Sequence, residues 1–174
     1  MDELLQQGTR KTIYEKVRTH PGISARELQR SLHLGWGETA YHLRQLTEGG
    51  ALRRERGGHR DYYFTPEVVW GDRRTLLLLR SRAERTMLLA LFEKPDMTFL
   101  ELATRVRLSN STVSFHLRHM LDLGIVERML RDDLHRYHLK DPSRLAELLK
   151  LYQESFEDAL VDRFVGAWSG LLRE

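Results

Sequence analysis

The apolar residues of this chain recur at intervals of three and four, the spacing that places them on one face of a helix. Near the start, Ile13, Tyr14 and Val17 share such a face, which predicts a helix over residues 9–19. Pro21 follows and ends it, because proline lacks a backbone N–H and disfavours the helical conformation of the preceding residue. Similar short patterns continue along the chain and predict a mainly α-helical protein.

Residues 21–54 and residues 95–128 follow the same pattern without a gap, at a shift of 74 positions. Most positions keep their polarity class, and nine are identical. The identical pairs are Pro21/Pro95, Glu27/Glu101, Leu28/Leu102, Leu34/Leu108, His42/His116, Leu43/Leu117, Arg44/Arg118, Gly50/Gly124 and Arg54/Arg128. One supersecondary unit is therefore present twice, which predicts two domains of the same kind.

Each copy has the signals of a helix-turn-helix. Ser24–Glu27 and Thr98–Glu101 have the form of a capping box, in which the hydroxyl and the carboxylate each bind a free backbone amide. A short helix follows each box, then a break, and then a further helix that ends at Gly50 or Gly124, where glycine can adopt a left-handed conformation. This order of elements is typical of DNA-binding domains.

Two short β-strands follow the last helix of each copy. In the first copy they are Ala51–Arg56 and Arg60–Phe64, joined by two glycines that favour a tight turn. In the second copy they are Ile125–Leu130 and His135–Leu139. The predicted fold is mainly α with small β-hairpin wings: two tandem winged helix-turn-helix domains plus a long C-terminal helix.

The order of elements divides the chain into three segments. Residues 1–66 form the first winged helix-turn-helix domain, residues 67–140 the second, and residues 141–174 a C-terminal helix. The run of four leucines at residues 76–79 has to be buried, so we expect it to begin a long first helix of the second domain.

The C-terminal segment has an unbroken helical period. Asp141 can cap a helix and Pro142 suits its first position, so one helix of about 45 Å is predicted from Pro142 to about Leu172. We expect its apolar stripe to join two copies of the chain in a dimer. The alternative is that it folds back over residues 76–79 of its own chain. The stripe comprises Leu145, Leu149, Tyr152, Phe156, Leu160, Phe164, Trp168 and Leu171.

The charge is unevenly distributed. The formal charge is +2 over residues 1–70, +4 over residues 71–140 and −3 over residues 141–174, so the basic excess lies in the two repeats. The chain has no cysteine, which excludes disulfides and thiolate sites. No apolar run is long enough to span a membrane and no signal-peptide pattern opens the sequence, so we expect a cytoplasmic protein.

The third helix of the second copy carries a family signature. The stretch from Ser109 to Val126 resembles the recognition helix of ArsR-type winged-helix repressors, roughly S-x-x-T-V-S-x-H-L-x-x-L-x-x-x-G-L-V. In the first copy Gly35-Trp36-Gly37-Glu38 replaces the small polar start of that pattern. The tandem arrangement is similar to predicted prokaryotic, largely archaeal, regulators with two such domains. The matching residues are Ser109, Thr112, Val113, Ser114, His116, Leu117, Met120, Gly124 and Val126, and in the first copy Thr39, His42, Leu43, Leu46 and Gly50.

The outer faces of the two third helices are the predicted DNA contacts, because a recognition helix presents short donors and acceptors at its N-terminal end. Glutamate in the first copy would repel phosphate but can accept from a cytosine amine, and the tryptophan there could instead belong to the core. In the second copy the candidates are Asn110, Ser111, Thr112, Ser114, Phe115, Arg118 and His119. In the first copy they are Trp36, Glu38, Tyr41, Arg44 and Gln45.

The wings supply further candidates. The first wing concentrates arginines, whereas the second also contains Asp132 and Asp133, which should weaken its contact with phosphate. The wing candidates are Arg54, Arg56, His59 and Arg60 in the first copy, and Arg131 and Arg136 in the second.

The sequence gives little support for metal binding or catalysis. His116 and His119 have helical spacing, but His116 and His42 occupy a position of the family pattern and are expected to be structural. We predict no metal, no cofactor and no enzymatic activity, since no phosphate loop, serine elbow or metalloprotease helix is present.

The sequence therefore predicts a transcriptional regulator that binds double-stranded DNA, as a homodimer, with any small-molecule effector unknown. The alternative is a tandem winged-helix scaffold that binds protein, such as a subunit of a chromosome-segregation or nucleoid complex. The two differ in the outer faces of the third helices, which in a scaffold should be apolar or acidic.

Overall fold

A computed structural model describes residues 8–156 and 158–171 of the chain. The chain divides into two compact units, Met1–Leu76 and Leu77–Glu174. The first unit ends later than the predicted residue 66, because Arg73 extends it: its guanidinium lies 2.8 Å from Glu55 Oε1 and donates to the Val68 carbonyl. The C-terminal segment belongs to the second unit.

The first unit contains helices α1 to α3, strands β1 to β3, and most of helix α4, within which the division falls. The predicted first helix, helix-turn-helix and wing are all present, with small shifts at the element ends. The elements are α1 (Gly8–Thr19), β1 (Ile23–Ser24), α2 (Ala25–Leu32), α3 (Trp36–Glu48), β2 (Arg53–Gly57), β3 (Arg60–Phe64) and α4 (Trp70–Arg80).

The second unit repeats this order and adds two C-terminal helices. A single turn of 3₁₀ helix, Gln153–Ser155, lies between those helices. The elements are α5 (Arg82–Glu93), β4 (Met97–Thr98), α6 (Phe99–Val106), α7 (Asn110–Asp122), β5 (Val126–Arg131), β6 (Leu134–Leu139), α8 (Pro142–Leu151) and α9 (Ala159–Leu171).

Each wing belongs to an antiparallel sheet of three strands, in the orders β1-β3-β2 and β4-β6-β5. The short outer strands β1 and β4 are not predicted by the sequence, because two residues are too few to show an alternating pattern. Ile23 pairs with Tyr63, and Met97 pairs with Tyr137 in the same way. This pairing fixes each wing to the loop that precedes its helix-turn-helix.

Both predicted capping boxes are confirmed. Ser24 N donates to Glu27 Oε2 at 2.9 Å, and Thr98 N donates to Glu101 Oε2 at 2.8 Å. In the second box, hydrogen bonds from Lys94 and Thr98 lower the pKa of Glu101 to about 2. Each box therefore fixes where the first helix of a helix-turn-helix begins.

The predicted glycine ends of the third helices are also confirmed. Gly50 and Gly124 have φ of +74° and +67°, a conformation that favours glycine.

The core of the first unit is built from the apolar faces that the sequence pattern predicts. Ile13, Val17 and Leu28 are fully buried, and Leu43 and Leu46 of α3 pack against them. Burying a side chain of this size stabilises the fold by about 1.5–3 kcal/mol. Since α3 is held by this one face, its opposite face is left to solvent.

The expectation of a long first helix in the second domain is wrong. Helix α4 ends at Arg80, and a separate helix α5 begins at Arg82. Ser81 lies between them with an extended backbone, and its hydroxyl accepts from the Glu84 amide. Serine is a favoured cap, so it begins a new helix here although the leucine pattern runs through the position.

The prediction of one C-terminal helix from Pro142 to about Leu172 is also wrong, and Leu172 itself lies outside the described residues. Helix α8 ends at Leu151, and α9 begins at Ala159. Asp158 caps α9: its Oδ1 accepts from the Leu160 amide at 2.9 Å, and its carbonyl accepts from the Asp162 amide. The predicted cap at Asp141 is confirmed by a bond of 2.9 Å from Arg144 N.

The apolar stripe expected to join two chains is largely covered within one chain. Leu145, Leu149, Phe156 and Phe164 are buried, and the Phe164 ring packs edge-on against Phe92 of α5 at 4.6 Å between centroids. The segment thus folds back within its own unit, with contacts to Phe92, Arg85 and Arg80, whereas the sequence alternative placed it over residues 76–79. Tyr152 and Leu160 are half-buried, and the side chains of Trp168 and Leu171 lie outside the described part.

One ion pair and one hydrogen bond from arginines hold this segment to the rest of its unit. Arg85 Nη2 and Nε lie 2.6 and 2.8 Å from Asp158 Oδ2, and Arg80 Nη2 donates to Ser155 Oγ at 2.5 Å. No helix among residues 8–156 and 158–171 is long and apolar enough to cross a membrane.

Candidate nucleic-acid interface

Helix α7 of the second unit begins with a hydroxyl cluster. Ser109 Oγ accepts from the Thr112 amide at 3.2 Å and lies 2.8 Å from Thr112 Oγ1 and 3.0 Å from Ser111 Oγ. Val113 and Leu117 are buried and hold the helix to the core. The cluster therefore stands at the exposed N-terminal end of the helix, where the free amides and the helix dipole attract a phosphate.

The structure brings most predicted contacts of α7 onto one solvent-facing surface. Thr112 is half-buried beneath them. Phe115 is exposed over 70% of its surface, although it is the largest apolar side chain of the helix. The exposed members are Asn110, Ser111, Ser114, Phe115 and Arg118.

His119, a predicted DNA contact, is exposed but also has a partner within its own unit. Its Nδ1 lies 2.7 Å from Oε1 of Glu84, a carboxylate on α5 whose side chain is only 7% exposed. His116 Nδ1 is 3.2 Å from the same oxygen, without the alignment of a hydrogen bond. Sequence reasoning did not find this contact because Glu84 lies 35 residues away.

Arg136, a predicted DNA contact on the second wing, is half-buried and has a backbone partner. Its Nη1 donates to the Asp96 carbonyl at 3.0 Å, which ties the second wing to the loop before β4. Arg131 is exposed, as predicted. Asp132 and Asp133 form the wing turn with φ of +50° and +59°, so carboxylates occupy the tip and oppose phosphate there.

Helix α3 presents a different surface in the first unit. Trp36 is 53% exposed, so it is not a core residue, and Glu38 and Arg44 are exposed beside it. Tyr41 is 46% exposed, and Gln45 is half-buried. Gly35 precedes the helix and gives it no side-chain cap, so the first amides of α3 are not satisfied by a local side chain.

The basic side chains of the first wing lie on the surface of the unit. Arg54, Arg56, His59 and Arg60 are all exposed. Of these four side chains, Arg54 is the one with a carboxylate oxygen within 4 Å: its Nη1 lies 3.8 Å from Asp61 Oδ2, and an exposed pair at this distance is weak.

A groove of about 880 Å³ runs between α2, the start of α3 and this wing. Sequence reasoning missed two of its arginines, Arg26 and Arg30, which are exposed on α2 at a spacing of four. The helical spacing of these two arginines, ahead of a basic wing, was the sequence signal that could have identified them as part of the interface. The lining residues are Ser24, Ala25, Arg26, Gln29, Arg30, Trp36, His59, Arg60 and Asp61.

His42 and His138 are structural in position. His42 is buried and its ring meets Tyr41 edge-on at 5.2 Å. His138 lies between Asp96 and Glu127, at 3.4 and 3.6 Å. Within the part of the chain that the structure describes, no group of three or more histidine or acidic side chains is arranged to hold a metal ion.

A capped second helix, an outward-facing third helix and a three-stranded wing define each unit as a winged helix-turn-helix domain. Comparisons with known families agree. A model described as an N-terminal HTH domain matches residues 7–76, and the model of the bacterial regulatory protein, arsR family, matches residues 84–128.

An uncharacterized HTH-type transcriptional regulator of Methanocaldococcus jannaschii is 26% identical over 126 residues. The match covers 72% of this chain and 32% of the relative, so the chain spans about a third of that protein's length. These findings confirm the resemblance stated from the sequence: the chain carries two helix-turn-helix domains in tandem, the second similar to the arsR family. They support a DNA-binding transcriptional regulator.

Proposed function

We propose that the protein regulates transcription by binding double-stranded DNA with both winged domains, α7 reading base edges and the first wing holding the backbone. The observation that carries the proposal is the outer face of α7, where Ser111, Ser114 and Arg118 are exposed next to a helix N-terminus that Ser109 caps. Short hydroxyls and a guanidinium at that position match the donors and acceptors of the major groove.

The first unit contributes mainly phosphate contacts in this proposal. Arg56 and Arg60 stand exposed on the wing, and Arg26 and Arg30 face the groove beside it. Arginines along such a groove neutralise phosphates and release counterions, which gives affinity without sequence preference. Glu38 at the entrance of α3 restricts which groups can approach, since it repels phosphate and can accept from a base amine such as that of cytosine.

A protein-binding scaffold is the second candidate, and one observation favours it. Trp36 and Tyr41 are exposed on α3 together with Glu38, a mixture of aromatic and acidic residues that also suits a protein surface. The polar face of α7 favours DNA for the second unit. The two functions therefore predict opposite results for variants of α7.

Assembly and location complete the proposal. A homodimer stays a prediction of the sequence, as does the cytoplasmic location in which a regulator meets the chromosome. The proposal includes no enzymatic activity and names no effector.

The test is selection of genomic fragments by the intact chain at 50 mM salt, followed by titration of the best fragment against a random duplex. A specific site should bind at least about 10³-fold more tightly than random DNA. The double variant Ser114→Ala/Arg118→Ala should lose most of that preference. Lys150→Ala is the matched control, because Lys150 is an exposed cation on α8, outside both wings and outside α3 and α7, the two reader helices. Failure of the intact chain to retain any duplex would favour the scaffold.

A further inference from the structure

The two reader helices share one unusual feature, an exposed aromatic ring in the second turn. Phe115 of α7 and Tyr41 of α3 are 70% and 46% exposed. They occupy equivalent positions of the two repeats. A ring of this size is ordinarily buried, because each exposed apolar group costs free energy in water. The exposure of rings at equivalent positions of both helices therefore indicates that a binding partner covers them.

The rings are held in the same way in both units. The Phe115 ring meets His116 edge-on with centroids 5.2 Å apart, and the Tyr41 ring meets His42 edge-on at the same distance. His42 is buried and His116 is half-buried, so each exposed ring lies against a fixed one. A ring supported like this presents a defined apolar surface rather than a mobile one.

The neighbours of the rings identify the kind of partner. Arg118 and Arg44 lie three positions further along their helices, are exposed, and are identical in the two repeats. Around Phe115 the other residues one turn away are Ser111, Thr112 and His119, whose Nδ1 is bonded to Glu84, and the first turn of α7 contains no acidic residue. The cationic and hydroxyl groups around Phe115 fit nucleic acid rather than an acidic protein surface. Beside Tyr41 the same cation is present as Arg44, and the carboxylate of Glu38 lies one turn before the ring.

We propose that each aromatic ring contacts the C5-methyl group of a thymine in the major groove, with its neighbouring arginine on an adjacent guanine. This inference rests on the proposed function and names the bases that the protein reads. Among the four bases only thymine presents a methyl group in the major groove, and guanine presents two acceptors that fit a guanidinium. An aromatic and an arginine at positions i and i+3 of a helix thus recognise a thymine next to a guanine.

The experiment replaces thymine by uracil, which lacks only that methyl group. In the best duplex selected from a random pool, each thymine on either strand is changed singly to deoxyuridine, and affinity is measured at one salt concentration. One thymine in each reader site should show a loss of about fourfold, the value of one buried apolar carbon. Two losses at separated sites should multiply to about 15-fold when both are changed.

Variants assign each methyl contact to its ring. Phe115→Ala should bind thymine and uracil duplexes equally at one of the two sensitive positions, and Tyr41→Ala at the other. Phe115→Leu, which keeps an apolar side chain, should retain part of the discrimination. Thermal melting of the three variants should match the parent within about 2 °C, because the rings are exposed and their loss opens no cavity.

The outcomes separate this inference from the function on which it rests. If the chain binds a specific duplex but no uracil change weakens it, or if Phe115→Ala keeps full discrimination, the methyl contact is wrong while the proposed function stands. Absence of duplex binding at 50 mM salt would overturn both.

Discussion

Nδ1 of His119 lies 2.7 Å from Oε1 of Glu84, so the reader helix α7 is tied to the first helix of its domain by a hydrogen bond to a buried carboxylate. A carboxylate only accepts, and the imidazole therefore carries its hydrogen on Nδ1. The repeat-equivalent residues in the first unit are Arg10 and Gln45, which cannot make this pair. The histidine–glutamate contact that holds α7 to α5 is thus not repeated between α3 and α1.

Removing this carboxylate should destabilise the second unit. Glu84→Ala leaves the histidines of α7 facing a buried gap, and loss of a buried charged partner costs about 1–3 kcal/mol. Urea unfolding measures the change. Glu93→Ala is the control, because Glu93 lies on the same helix and pairs with Arg105 at the surface, where such pairs contribute less than about 1 kcal/mol. Equal effects of the two changes would show that the Glu84 contact is not structural.

The ion pair of Asp158 should make the C-terminal helices sensitive to acid. Burial raises the pKa of Asp158, but hydrogen bonds from the Leu160 amide and Arg85, with the charge of Arg85, outweigh burial and hold the pKa below its ordinary value. A carboxylate with a lowered folded pKa adds stability that is full above its unfolded pKa of about 4 and is lost as the pH falls through the folded value.

The measurement is the urea midpoint between pH 7 and pH 2 for the parent and Asp158→Asn. The parent should lose more stability below about pH 4 than the variant does. Glu147→Gln removes an exposed acid of α8 that pairs with Arg144 and should leave the parent's pH profile in place. Identical profiles for the parent and Asp158→Asn would contradict the assignment.

Phe164 tests whether the C-terminal stripe closes one chain or joins two. The side chain is buried against Phe92 within the unit, so Phe164→Ala should lower the free energy of unfolding by about 3–5 kcal/mol. The urea midpoint of the parent should be independent of protein concentration. A midpoint that rises with concentration would instead place the stripe in a dimer interface. Leu151→Ala is the matched control, since Leu151 of α8 is exposed and its removal should change stability by less than about 0.5 kcal/mol.

The two domains should divide the work of binding. Ser114→Ala and Arg118→Ala should each cost about 1–3 kcal/mol on a specific site and less on random DNA, because they remove contacts to bases. Arg56→Ala should weaken both duplexes about equally, because it removes a phosphate contact. Arg54 is a poorer probe, since Asp61 lies beside it. If Arg56→Ala changes the preference while the α7 variants do not, the first domain is the reader.

The sequence predicts those parts of the fold that local signals determine. The capping boxes at Ser24 and Thr98 and the left-handed glycines at Gly50 and Gly124 need only neighbouring residues, and all four are where the pattern places them. The helix breaks at Ser81 and Asp158 were missed, because the apolar period runs through both.

Long-range partners explain the rest of the difference. Asp158 is held by Arg85, 73 residues away, and His119 by Glu84, 35 residues away. A helical pattern shows that such a residue faces outward from its own helix but not which neighbour packs beside it. The outer face of α7 could be predicted from the helical pattern alone, because Ser111, Ser114 and Arg118 are exposed and no long-range partner covers them in the described part of the chain.

The most direct test of the account is the salt dependence of binding to duplex DNA. If the wings and reader helices together neutralise about 6–10 phosphates, the slope of log K against log salt should be about −5 to −9. Affinity should then fall by about 10³ to 10⁵ between 50 and 200 mM salt. A chain that binds no duplex at 50 mM salt, or binds with an affinity that salt does not change, would contradict the account.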